Sequence, residues 1–132
     1  MPTDPCTSAA ILEHQTAAWN AANIDAILHD FASDAVLTSA SGQTLSGIPA
    51  IRQSLTSFFS AFAQIRLTVR ALVAHGDTAA CEWEFSCRHR LTGNTARLPA
   101  SVFITCHNGK ITEWREYYDT AQFKAQLGLT LT

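Results

Sequence analysis

The second half of the chain alternates apolar and polar residues through four long stretches, a period that an antiparallel meander satisfies and a helix does not. Ile65, Leu67, Val69, Ala71 and Val73 alternate with Arg66, Thr68 and Arg70. Cys81, Trp83, Phe85 and Cys87 alternate with Glu82, Glu84, Ser86 and Arg88. Turn residues separate the stretches: His75-Gly76-Asp77, Thr92-Gly93-Asn94 and Asn108-Gly109. Asn-Gly is the strongest two-residue hairpin signal, because both positions of a type I′ turn need positive φ. The expected strands run over 65–74, 79–90, 96–107 and 110–118.

The first half reads as helix. Thr7 or Ser8 can cap a helix whose apolar positions are Ile11, Leu12, Gln15, Ala18, Trp19 and Ala22. Asn23 can cap a second, short helix that buries Ile24, Ile27, Leu28 and Phe31. A short strand is expected over 34–38. A third helix follows Gly47, with Pro49 in its first turn, where a missing N–H costs nothing. A short last helix spans 120–127 and ends before Gly128. The expected class is α+β, with three N-terminal helices on a curved antiparallel sheet, all within one domain of residues 1–132.

With Asn108-Gly109 as the loop, His107 faces Lys110, and the register places Ile104 opposite Glu113 and Val102 opposite Arg115. A four-residue loop at 92–95 sets Trp83 beside Ile104 and Phe85 beside Val102. One sheet face then carries Cys81, Trp83, Phe85, Val102, Ile104, Arg115, Tyr117 and Asp119. The other carries Glu82, Glu84, Arg88, Phe103, Trp114, Glu116 and Tyr118. A single bulge would exchange part of the two sets. The first hairpin needs one odd residue for its apolar faces to match.

Composition removes several function classes. Hydrophobic residues make up 47% and charged residues 15%, and the formal net charge is −2. No basic stripe is present to release counterions from phosphates, so no nucleic-acid partner is expected. No uncharged apolar run reaches the roughly 18 residues of a membrane helix. The N-terminus lacks a basic and apolar leader, so the expected location is cytoplasmic. Cys6, Cys81, Cys87 and Cys106 form no CxxC pair, so buried free thiols are expected rather than zinc ligands. Neither a metal nor a cofactor is implied.

The segment Gly109-Lys110-Ile111-Thr112-Glu113-Trp114-Arg115-Glu116-Tyr117-Tyr118-Asp119 is the informative one. A last strand reading GKI-x-x-W-R-x-Y-x-D, followed by a helix with an aromatic residue at Phe123, resembles the SnoaL-like and limonene-epoxide-hydrolase-like proteins. These belong with the ketosteroid-isomerase-like relatives in the nuclear transport factor 2-like superfamily. A tryptophan helix at 19–25, FASDAV at 31–36 and G-x-x-A-I-R at 47–52 extend the resemblance over nearly the whole chain. It implies a cone with an internal pocket for a small apolar molecule, and commonly a homodimer. In the epoxide hydrolases the aspartate matching Asp119 helps to activate water. Its helper positions here are Leu37 and Ser39, with Trp83 and Phe85 or Glu82 and Glu84, and none is an arginine. Only Asp119 carries over.

The site expectation is therefore Asp119 as a general base with Tyr117 as hydrogen-bond donor to a carbonyl oxygen, two residues apart on one strand. Trp83, Phe85, Arg115, His14, Trp19, Val102 and Ile104 complete the expected pocket. Asp119 can alternatively cap the following helix, which would leave a catalytically silent pocket or accessory domain. Phe103, Trp114 and Tyr118 are expected on the outer face as a dimer surface.

Overall fold

The computed structural model describes residues 7–129; Cys6 lies outside them. Thr7 caps α1 (Ser8–Asn20) by accepting from the Ala10 N–H, and Asn23 caps α2 (Ile24–His29) by accepting from the Ala26 N–H. Each side-chain oxygen answers one of the donors a helix start leaves free. The chain then runs through β1 (Phe31–Thr38), β2 (Thr44–Ser46), α3 (Ile48–Ala61), β3 (Phe62–His75), β4 (Thr78–His89), β5 (Thr95–His107), β6 (Lys110–Tyr117) and α4 (Thr120–Leu127).

The four long strands form the expected meander, β3-β4-β5-β6. The sheet is larger than expected and is mixed. Its order is β2-β1-β6-β5-β4-β3, with β1 parallel to β6. The purely antiparallel sheet is thus corrected. The chain must cross from β1 to the far edge through α3, and β6 returns beside β1 in the same direction. The helices are also not one N-terminal block, since β1 and β2 separate α2 from α3. Phe31 begins β1 rather than ending α2.

Three register details decide which side chains enter the cone. The first hairpin turns on Gly76 and Asp77 alone, with His75 opposite Thr78. The odd residue its faces need is a bulge at Arg70, between Val69 opposite Trp83 and Ala71 opposite Glu82. It sends Leu72, rather than Val73, toward the core. The second hairpin has a longer loop than expected. Arg88 pairs with Thr95, so Trp83 pairs with Ala100 and Phe85 with Leu98. The shift from the expected register is an even number, so every β4 side chain keeps its face.

The third detail is a correction. His107 does pair with Lys110, and Asn108 and Gly109 both take positive φ, 51° and 74°. Cys106 pairs with Ile111, but Thr105 already pairs with Glu113. Thr112 is the extra residue. Its hydroxyl donates to the Thr105 carbonyl at 3.1 Å, which pairs a backbone group inside the irregular stretch. Beyond it, every β6 side chain lies on the opposite face from the one expected. Ile111 and Trp114, three positions apart, both become buried.

Candidate functional site

The cavity lies between the inner sheet face and the helices, with a volume of about 180 Å³. α1 supplies Trp19, β1 Leu37, α3 Phe58, β4 Trp83 and Phe85, β6 Trp114 and Glu116, and Tyr118 and the α4 residue Phe123 line it as well. Ser39 and Ser54 also line it. The rings are in mutual contact. Trp114 stacks between Trp19 and Trp83, at centroid distances of 6.3 and 6.2 Å. Phe123 meets Phe85 at 5.9 Å and Tyr118 at 5.6 Å. An engineered cavity of about 150 Å³ holds benzene, so this one suits one ring or two small fused rings.

Among the described residues, Glu116 is the one charged residue that lines the cavity. No arginine or lysine pairs with it among the described residues. Burial disfavours its carboxylate and pushes its pKa from 4.5 up to about 7. The Trp114 indole N–H opposes this, favouring the ionised form. That N–H makes no hydrogen bond of ordinary geometry, so its help is weak and burial dominates. Tyr118 is pushed up to about 12, first by burial and then by the charge of Glu116. A phenol so shifted keeps its proton at neutral pH and serves as a donor.

The sequence-predicted residues divide sharply. Trp19, Trp83 and Phe85 line the cavity. Val102 and Ile104 are buried in the core beside it and do not line it. Arg115 and Tyr117 are on the outer face, a correction that follows from the Thr112 bulge. Arg115 pairs with Glu113 and sits 5.9 Å from the Phe103 ring, while Tyr117 is 51% exposed. Asp119 caps α4, accepting from the Gln122 N–H at 3.0 Å. It does not line the cavity. His14 is exposed and sits 2.5 Å from the Asp30 carboxylate, outside the cavity lining.

The converse correction applies to the expected outer face. Trp114 is 2% exposed and lines the cavity with Tyr118, leaving only Phe103 outside. Glu116 was missed for the same reason. Its signal was present in the spacing of Ile111 and Trp114, since two bulky apolar residues three apart share a strand face only across a bulge. Cys81, Cys87 and Cys106 are buried free thiols, each pushed up to about 11 by burial. Cys81 pairs with Val102. Among the described residues no group of side chains forms a metal site, and no helix is long and apolar enough to cross a membrane.

A family model described as a SnoaL-like domain matches residues 12–114. None of the curated proteins compared matches the sequence. Among solved structures, a hypothetical protein with a ketosteroid isomerase-like fold from Catenulispora acidiphila, in complex with trimethylamine, is similar at 22% identity and a TM-score of 0.85. The match covers 94% of this chain and 96% of that one. A protein from Pseudomonas putida described as a candidate polyketide cyclase is also 22% identical, with a TM-score of 0.85 over 91% of this chain and 97% of its own. TerC, co-crystallised with polyporic acid, is 22% identical with a TM-score of 0.80, over 89% of this chain and 95% of its own.

Proposed function

This chain belongs to the SnoaL-like domain family, and on that premise we propose that it takes a small, flat, weakly polar carbonyl compound into its cavity and moves a proton on it. Glu116 is the base. The observation that carries the reading is a single carboxyl among the described residues of an aromatic cavity that Tyr118 also lines, its phenol near enough to feel the charge of Glu116. The carboxylate removes a proton from carbon next to the carbonyl. The freed electron pair moves onto the carbonyl oxygen, which accepts a hydrogen bond from the Tyr118 hydroxyl. Glu116 then returns the proton to carbon, at the same or a conjugated position. A base whose pKa is about 7 is matched to such a transfer at neutral pH.

This is the expected base-and-donor pair moved onto different residues. Asp119 and Tyr117 are replaced in those roles by Glu116 and Tyr118. The description of similar structures as ketosteroid isomerase-like and as polyketide cyclases supports a carbonyl substrate. Epoxide opening is disfavoured, because among the described residues the cavity lining holds neither an arginine nor a second carboxylate to share the work of activating water. A second reading, a cavity that binds without turnover, is favoured by Asp119 being engaged as a helix cap.

Exchange of the α-protons of 2-tetralone in deuterated water, followed by NMR, tests the proposal. Wild-type protein is expected to accelerate exchange, Glu116→Gln to lose at least ~100-fold of it, and Asp119→Asn to retain it. Exchange by Glu116→Gln at the wild-type rate would exclude Glu116 as the base. Binding of 2-tetralone without exchange would establish the silent cavity instead.

A further inference from the structure

Helix α1 sends two consecutive polar side chains to the tryptophans of the cavity. The Trp19 indole N–H donates to Gln15 Oε1 at 3.2 Å. The Trp83 indole N–H donates to Thr16 Oγ1 at 3.1 Å. Gln15 is 0% exposed. A buried amide is costly unless its polar atoms are paired, and an aliphatic side chain would fill the same helix position without that cost. Here every group is used. The Gln15 amide nitrogen donates to the Ile27 carbonyl at 2.8 Å and to the Asp30 carboxylate at 2.9 Å. Its oxygen is thereby turned to Trp19.

Thr16 is oriented by the same logic. Its hydroxyl donates to the Leu12 carbonyl at 2.9 Å. With its proton committed, the oxygen can only accept, and an indole can only donate. Trp114, stacked between the two held rings, is the third leaf.

We infer that Gln15 and Thr16 are positioning residues of the cavity. They hold the planes of Trp19 and Trp83, keep Trp114 clamped between them, and turn both outer indole N–H groups toward α1. The cavity receives ring surface from Trp19 and Trp83 and no hydrogen-bond donor from either. Polar recognition of a ligand is left to the other polar groups of the lining, Glu116, Tyr118, Ser39 and Ser54, and the tryptophan wall selects for flatness. The inference rests on the cavity being a ligand site and does not depend on turnover.

The test uses 2-naphthol as the bound probe and the indole N–H signals of ligand-free protein in ¹⁵N-resolved NMR. In wild-type protein the Trp19 and Trp83 indole protons are expected to exchange slowly with solvent, and fast exchange of either would overturn the inference without any variant. Thr16→Val removes the acceptor at nearly constant volume. It is expected to move the Trp83 indole signal upfield, speed its exchange at least tenfold and weaken 2-naphthol binding about tenfold. Thr16→Ser keeps the hydroxyl and is expected to restore all three. An unchanged Trp83 signal in Thr16→Val, or 2-naphthol affinity within twofold of wild type, would refute the positioning role. Wild-type protein with the expected indole signals but no affinity for 2-naphthol would overturn the ligand half of the inference, whatever the outcome of the tetralone exchange.

Discussion

Glu116 carries the clearest consequence at the scale of one residue. Its carboxyl is raised from 4.5 to about 7, so the folded chain holds a proton there that the unfolded chain has released. Stability therefore falls as pH rises from about 4.5 to about 7, and the loss is complete above that range. The full shift corresponds to about 3 kcal/mol, and partial solvent access at the cavity mouth reduces it toward about 1–2 kcal/mol. Glu116→Gln keeps the shape and cannot ionise. It is expected to be more stable than wild type at pH 8 and nearly equal at pH 4, as measured by urea unfolding. Equal stabilities at both values would mean that the carboxyl is not desolvated. Asp119 shows the opposite use of the same chemical group. Exposed at a helix start, it accepts from a backbone N–H and shapes the chain rather than a reaction.

At the scale of an element, β6 shows how one extra residue assigns a site. Without the bulge at Thr112, Trp114, Glu116 and Tyr118 would face outward and Arg115 and Tyr117 inward, as the uninterrupted pairing from Asn108-Gly109 predicts. The bulge resolves a conflict between two local demands. The turn fixes the pairing of Cys106 with Ile111, and the core requires both Ile111 and Trp114. Deleting Thr112 removes the extra residue, so Ile111 and Trp114 fall two apart on a regular ladder and both keep the inner face, with Glu116 and Tyr118 beside them. A loss of only about 1 kcal/mol is expected, from the hydrogen bond to Thr105. Equilibrium unfolding in urea measures it; a loss of about 3–5 kcal/mol, the cost of emptying an aromatic core position, would mean that Trp114 has left the core and that β6 is not held by this register. Thr112→Val, which keeps the extra residue and loses only the hydrogen bond to Thr105, is expected to cost about 1 kcal/mol.

At the scale of the whole molecule, the outer sheet face is the surface left to account for. Phe103 is 41% exposed, Tyr117 51% and Val73 67%. Phe103 and Tyr117 meet edge to face, with Arg115 against the Phe103 ring. We propose this face as the homodimer surface, with Tyr117 in the place expected for Trp114 and Tyr118. Sedimentation equilibrium is expected to give a dimer for wild-type protein and a monomer for the Phe103→Asp, Tyr117→Asp double variant, with unfolding changed by less than about 0.5 kcal/mol per site. A wild-type monomer at high concentration would reject the proposal. The same face explains why the expected pocket and the expected interface were exchanged in part. Both rested on one register, and one slip moved residues between them.

The sequence by itself determined the elements, apart from β2 and the start of β1, and the family resemblance. Caps at Thr7 and Asn23, Pro49 at the start of α3, and the alternation from Ile65 onward are local signals, and local backbone preferences were enough to read them. It also determined the β4 wall, Trp83 and Phe85, because an even register error leaves faces unchanged. The parallel pairing of β1 with β6, the inward turn of Glu116 and the hold of α1 on the tryptophans were decided only by the tertiary structure. These join residues distant in the chain. Which of two adjacent side chains enters the cone depends on the parity of a strand, and that parity is set by packing Ile111 and Trp114 together rather than by any preference of the residues between them.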